Sequence, residues 1–166
     1  MRSIERVAVY PGSFNPFHQG HADIVKKAFS LFDFVVIAVG VNPDKKLSLT
    51  DEIKATEHVY EKVRKFLPYE RYPNVRVEVF AGLLVDFIKE RNEAAERAAE
   101  VDGSPKTEVV AVMKGLRNGQ DLEYERAQQM WNEDLGITVP TVYFISDRRF
   151  IHVSSSAIRA LKHFKK

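Results

Sequence analysis

The chain has 166 residues, 45% of them hydrophobic and 29% charged, and this length predicts one domain with one sizeable core over residues 1–166. It holds no cysteine, which excludes disulfides and thiolate catalysis, and no apolar run approaches the roughly 20 residues of a membrane helix, so we expect a cytoplasmic protein without a membrane partner. Its net charge is +2 and its basic residues are dispersed, so we expect no nucleic-acid partner.

Two kinds of hydrophobic segment alternate along the chain. Short segments, apolar or, at Val75–Val79, alternating, predict five strands, at Val7–Tyr10, Phe34–Val39, Val75–Val79, Glu108–Met113 and Thr141–Ile145. A segment with helical periodicity follows each strand, at Ala22–Phe32, Thr50–Leu67, Leu83–Val101, Leu122–Leu135 and Ser154–Phe164. Strands alternating with helices predict an α/β fold with a five-stranded parallel sheet. In such a sheet, ligands bind beyond the carboxyl ends of the strands.

The loop after the first strand has the features of an anion site. It starts at Pro11 and ends with His18-Gln19-Gly20-His21, where a helix is predicted to begin. A helix start offers free N–H groups to a phosphate, and Gly20 lets the backbone approach it closely. Two histidines at this spacing can face one ligand. They can also hold zinc, but no Cys or carboxylate follows at ligand spacing, so we predict no protein-held metal.

Other loops at the same edge of the sheet add cations and hydroxyl groups. Lys45 follows the second predicted strand and Arg117 follows the fourth. Arginine binds phosphate with two parallel hydrogen bonds, whereas lysine acts as a point charge. Ser154–Ser156 open the last predicted helix and form a second possible anion site. Any one of these residues alone fits an ordinary surface position, but their convergence predicts a polyphosphate site.

Four motifs of the chain occur in the order expected for the nucleotidylyltransferase superfamily and resemble its sequences. The fold of that superfamily is Rossmann-like and doubly wound. His18–His21 is similar to its His-x-Gly-His signature, and Ser154–Ser156 to its closing Ile-Ser-Ser-Ser/Thr element. Asn42–Lys46 and Gly115–Glu125 resemble the Asn-Pro-x-Lys-Lys loop and the Gly-Leu-Arg-x-x-x-Asp-Phe-Glu-Tyr-Glu stretch of the pantetheine-phosphate adenylyltransferases. Class I aminoacyl-tRNA synthetases share a related signature but carry a Lys-Met-Ser-Lys-Ser loop, which this sequence lacks.

The resemblance implies transfer of the adenylyl group of ATP to 4′-phosphopantetheine in a homohexameric enzyme, and Mg²⁺ is expected to neutralise the polyphosphate charge. It implies four catalytic residues: His18, His21, Lys45 and Arg117. It implies acceptor contacts from Ser13, Lys45, Leu84 and Lys114. It implies ATP contacts from three loops, namely from Ser13, Phe14, His21, Gly115, Leu116, Arg117, Glu125, Phe150, Ile151, His152, Val153, Ser154, Ser155 and Ser156.

Two departures from the family pattern leave other acceptors open. Lys114 stands where the family usually has Arg, and His18 stands where it commonly has Thr. That histidine also suits the nicotinate- or nicotinamide-mononucleotide adenylyltransferases, whereas the Gly115–Glu125 stretch favours phosphopantetheine. A nucleotide-binding regulator without catalysis is the remaining alternative.

Overall fold

Five strands alternate with five α-helices in the computed structural model, which describes residues 4–41 and 49–163. The predicted α/β alternation is confirmed. A short 3₁₀-helix, Arg148–Phe150, lies between the last strand and the last helix. In chain order the elements are β1 (Glu5–Gly12), α1 (Gln19–Ala28), β2 (Phe34–Val41), α2 (Leu49–Phe66), β3 (Val75–Ala81), α3 (Leu84–Asp102), β4 (Thr107–Leu116), α4 (Gly119–Asp134), β5 (Thr141–Ile145) and α5 (Ser155–His163).

The strands form one parallel sheet in the order β3-β2-β1-β4-β5, which confirms the doubly wound, Rossmann-like prediction. The chain winds outward from β1 to β3 and then returns to place β4 on the other side of β1. The strand order therefore reverses between β1 and β4, and a crevice opens there beyond their carboxyl ends. In the described part of the chain, no helix is long and apolar enough to span a membrane.

Side chains of the sheet alternate between two hydrophobic cores. On β1, Ala8 and Tyr10 pack into the core that α1 and α2 cover, while Val7 and Val9 pack into the core that α3 covers. This alternation follows from the two-residue period of a strand. Because both faces of the sheet are covered, its middle strands are continuous apolar runs rather than alternating ones. The site is thus built on a rigid, buried sheet.

Helices α1 and α4, which border the crevice, each begin three residues before their predicted starts. His18 caps α1, where its Nδ1 accepts a hydrogen bond from the Gly20 N–H at 3.1 Å. Asn118 caps α4, where its side-chain oxygen accepts from the Asp121 N–H at 2.9 Å. A side-chain cap satisfies an N–H group that the first helical turn leaves unpaired, so each helix extends back to its cap rather than to its first apolar residue.

Candidate active site

A cavity of about 480 Å³ fills the crevice between the carboxyl ends of β1 and β4. Its walls come from the loop after β1, the start of α1, the end of β4, one face of α4 and the turn before α5. We call it the first cavity. Most of the predicted site residues line it, namely Ser13, Phe14, His18, His21, Lys114, Gly115, Arg117, Glu125, Phe150, Val153, Ser154, Ser155 and Ser156.

A second cavity, of about 640 Å³, adjoins the first. Its lining is more apolar and includes Leu84, a predicted acceptor contact, together with Phe80 and Trp131. The two cavities share Ser13 and Lys114, among other residues. These shared residues mark a boundary at which a ligand of the first cavity can meet a ligand of the second.

The rings of His18 and His21 stack, with centroids 3.7 Å apart and an interplanar angle of 19°. Nδ1 of His21 accepts a hydrogen bond from the His18 N–H at 3.3 Å. Nδ1 of His18 in turn accepts from the Gly20 N–H, and a Cβ on Gly20 would lie 3.1 Å from the His18 ring. A nitrogen that accepts carries no proton, so each neutral ring carries its hydrogen on Nε2. Both histidines are therefore N–H donors at the start of a helix.

The same burial that packs the two rings keeps them uncharged. Desolvation, with smaller contributions from His18 and Arg117, lowers the pKa of His21 to about 3. Desolvation and Arg117 lower the pKa of His18 to about 4. At neutral pH both rings are therefore uncharged and present dipolar N–H groups at the positive end of α1, an arrangement that suits an anion.

Arg117 is held in one orientation by Asp121. The Asp121 carboxylate accepts from the Arg117 backbone N–H at 2.8 Å and from Nε and Nη2 at 2.9 Å each. Burial alone would raise the pKa of the Asp121 carboxyl, but the hydrogen bonds from Arg117 outweigh it and lower the pKa overall. No described protein atom bonds Nη1 of Arg117. The guanidinium is therefore fixed at the cavity wall with a free donor group.

Lys114 lies at the boundary of the two cavities against two side chains of α4. Its Nζ lies 2.8 Å from Oε2 of Glu125 and donates to Oε1 of Gln128 at 3.2 Å. The Lys114 and Glu125 side chains are largely buried, at 14% and 19% exposed. At that degree of burial the attraction between the two charges is screened less by solvent than in an exposed ion pair.

The turn before α5 is joined to the loop after β1. Ser155 Oγ donates to the Pro16 carbonyl at 2.9 Å, and the Arg159 guanidinium donates to the Asn15 carbonyl. Ser154 Oγ accepts from the Ala157 N–H at 3.1 Å and so caps α5. The two helix starts that face the first cavity, those of α1 and α5, are thereby fixed relative to each other.

Comparison with known proteins identifies the family. The cytidylyltransferase-like family model matches residues 9–161. A phosphopantetheine adenylyltransferase of Clostridium novyi (strain NT) is 37% identical over 161 residues, 96% of this chain and 84% of that protein. One of Clostridium tetani is 37% identical over 158 residues, 95% of this chain and 84% of that protein. The chain belongs to the phosphopantetheine adenylyltransferase family.

The solved structures offer a more distant likeness. The NadR protein in complex with NAD and AMP-PNP matches 97% of this chain at 21% identity and a TM-score of 0.47, and this chain covers 44% of that structure.

Three predicted ATP contacts of this adenylyltransferase have no described role in the site. Leu116, Ile151 and His152 line neither cavity, and their ATP contacts stay predictions. Leu116 offers its backbone instead, since its carbonyl accepts from the Ser146 N–H at 2.8 Å. Lys45, the predicted acceptor contact of the second loop, lies outside the described residues.

Sequence reasoning missed five polar residues that line the first cavity. Asp121 and Gln128 are described above, and Tyr10, Tyr124 and Ser146 complete the set. Tyr10 is buried beneath the cavity, and burial and Glu125 raise the pKa of its hydroxyl. The i,i+4 spacings of Arg117 with Asp121 and of Tyr124 with Gln128 were signals that could have found three of the five.

Proposed function

We propose that this chain transfers the adenylyl group of ATP to the phosphate of 4′-phosphopantetheine, giving dephospho-CoA and pyrophosphate. The observation that carries the proposal is the pair of adjoining cavities. One is lined by phosphate donors from two helix starts, the other is more apolar, and they meet at Ser13 and Lys114. This arrangement suits a triphosphate on one side and a long, weakly polar acceptor on the other, and the curated relatives carry the name of this activity.

The reaction is a direct displacement. An oxygen of the acceptor phosphate attacks the α-phosphorus of ATP, a new P–O bond forms, and the bond to pyrophosphate breaks. The site supplies positioning and charge stabilisation, which are what phosphoryl-type transfers need. His21 donates Nε2–H to the α-phosphate, and Arg117 binds the polyphosphate. His18 packs against the His21 ring. Lys114 and Lys45 hold the acceptor phosphate. No covalent enzyme intermediate is needed.

Mg²⁺ is part of the proposal as a partner of ATP. Within the described residues, no group of three His, Asp or Glu side chains is placed to hold a metal ion. Mg²⁺ usually keeps several waters and takes few protein ligands beside substrate phosphates, so this residue set fits an ion that enters with the nucleotide. When bound, the ion would neutralise charge on the triphosphate. A titration of activity against Mg²⁺ at fixed ATP tests this.

The acceptor assay tests the function itself. Purified protein and ATP are mixed with 4′-phosphopantetheine, nicotinate mononucleotide or nicotinamide mononucleotide in turn, and pyrophosphate release is measured. We expect release with 4′-phosphopantetheine alone, because the curated relatives named here share that acceptor in their names. Release with a mononucleotide instead would establish the alternative acceptor. Nucleotide binding without release from any acceptor would establish a regulator.

The cellular setting and the assembly complete the proposal. We place the protein in the cytoplasm, where its ATP donor is available. The resemblance supports a homohexamer, and light scattering at several protein concentrations tests it. A monomer of 19.0 kDa at all concentrations would contradict that assembly.

A further inference from the structure

Gln128 is a polar residue at the boundary of the two cavities that belongs to none of the motifs described above. It lies on α4, and it lines both cavities. Its Nε2 donates to Tyr124 Oη at 3.0 Å, and its Oε1 accepts from Lys114 Nζ at 3.2 Å. Because the lysine ammonium can only donate, the amide oxygen faces the lysine, and Nε2 is left to donate to the Tyr124 hydroxyl.

Glu125 attracts the same ammonium without orienting it. Its Oε2 lies 2.8 Å from Lys114 Nζ, but this oxygen is buried and makes no hydrogen bond within the described residues. The contact is therefore a charge contact with poor bond geometry. Gln128 Oε1 is the acceptor that gives the ammonium a direction, because hydrogen bonds are angle-dependent and Coulomb attraction is not.

We propose that Gln128 is a positioning residue that holds the Lys114 ammonium at the boundary of the two cavities, where it meets the acceptor phosphate. This inference rests on the proposed function. Lysine carries three N–H donors on a flexible four-carbon stem. With one donor on Gln128 and one toward Glu125, the third is left for a phosphate oxygen. Gln128 is neutral, so it orients the cation without cancelling the charge that attracts the phosphate.

Gln128→Leu tests the proposal, since leucine keeps most of the volume and cannot accept a hydrogen bond. We expect the KM for 4′-phosphopantetheine to rise about tenfold, the lower end of what loss of a hydrogen bond to a charged group costs. The KM for ATP should stay within about twofold. The matched control is Gln129→Leu on the same helix. Gln129 bonds to Tyr143 Oη and Glu133 at 2.7 Å each and lines neither cavity.

A second background separates positioning from general damage. In Lys114→Arg, the guanidinium can bond Glu125 through its fork and needs no third residue to orient it. Gln128→Leu should therefore change the acceptor KM by less than about twofold in that background. Circular dichroism should show melting of Gln128→Leu close to that of the wild type, because α4 contributes no buried side chain to the core and the Asp121, Glu125 and Gln129 contacts that attach it remain.

Three results would overturn the proposal: an unchanged acceptor KM in Gln128→Leu, equal losses in the Lys114 and Arg backgrounds, or an equal loss in Gln129→Leu. Failure of the proposed function shows itself separately. In that case the wild-type protein releases no pyrophosphate with 4′-phosphopantetheine, and the role of Gln128 falls with it.

Discussion

Replacing His21 by alanine removes two hydrogen-bonding groups whose effects can be measured separately. One is Nδ1, which accepts a hydrogen bond from the His18 N–H at 3.3 Å and so caps the start of α1. The other is the Nε2–H group, which is left to donate to the α-phosphate. The first group affects stability, and the second affects turnover.

The two magnitudes differ enough to be told apart. Loss of a helix cap costs about 0.5–2 kcal/mol, and at 3.3 Å this bond belongs at the low end. For a protein of this length, that lowers Tm by roughly 2–4 °C per kcal/mol. Loss of one preorganised donor to transition-state charge lowers kcat by about 10²–10³. We therefore expect His21→Ala to fold and to have a Tm only slightly below that of the wild type. Its kcat should fall by about 10²–10³.

The assay compares three variants by initial rates of pyrophosphate release at saturating ATP and 4′-phosphopantetheine, with thermal unfolding alongside. His21→Glu keeps an acceptor for the cap at the third helical position but presents no donor and adds negative charge. It should lose at least as much kcat as His21→Ala. His58→Ala, on the exposed surface of α2, is the control and should match the wild type in both measurements.

A kcat of His21→Ala within about fivefold of the wild type would refute the role of the imidazole as a donor. Retained turnover in His21→Glu would refute it more strongly, since a carboxylate beside the α-phosphate should repel it. A large loss of Tm with little loss of kcat would instead assign His21 to the helix cap alone.

The remaining predictions concern the cavity wall and its pH dependence. Asp121→Asn should raise the KM for ATP about tenfold by weakening charge-assisted bonds to Arg117, with the acceptor KM unchanged. Gly115→Ala should lower the free energy of unfolding by about 1–3 kcal/mol in denaturant titrations, because its Cβ would lie 2.9 Å from Ile24 Cγ1. NMR titration should show His21 neutral well below pH 5. Its folded pKa lies below the unfolded one of 6.5, so the unfolded chain takes up the proton first and stability falls as pH drops from about 6.5 toward about 3.

Much of the fold was readable because local pattern and tertiary position agree. The run Phe34–Val39 is apolar at every position, and it lies in β2, whose two faces are both covered. Five strand segments that alternate with helical segments leave few arrangements besides a parallel sheet. Once the sheet is parallel, its loops share one edge, so the meeting of His21 and Arg117 in one cavity follows from the order of the elements.

The rest depends on contacts that no local pattern encodes. The bond from Lys114 to Gln128 joins β4 to α4, and it needs the packing angle of that helix to be known. A cap is an ordinary role for a histidine at a helix start, but the His-x-Gly-His motif favoured a functional role for His18. In the structure, the same ring caps α1 and stacks on His21. Propensity rules rank Ser, Thr, Asp and Asn highest as caps.

The polar contacts of helix α4 serve both the proposed substrate site and the attachment of the helix to the sheet. None of its side chains is buried, and it carries no apolar face into either core. It contacts the sheet through polar side chains on one face instead. Asp121 bonds Arg117, Glu125 and Gln128 hold Lys114, and Gln129 accepts from Tyr143 on β5.

The spacing of these residues places both proposed phosphate-binding cations under the control of one helix. Asp121, Glu125 and Gln128 recur at intervals of four and three, so they share the face of α4 that borders the first cavity. A phosphate that binds Arg117 or Lys114 must share that cation with a carboxylate of α4, Asp121 or Glu125. A variant that removes the carboxylate partner of either cation therefore changes both the affinity for phosphate and the attachment of α4 to the sheet. Gln129 attaches α4 to β5 away from the cavities. A substitution of Gln129 can therefore weaken the attachment of the helix without changing the contacts of Arg117 or Lys114.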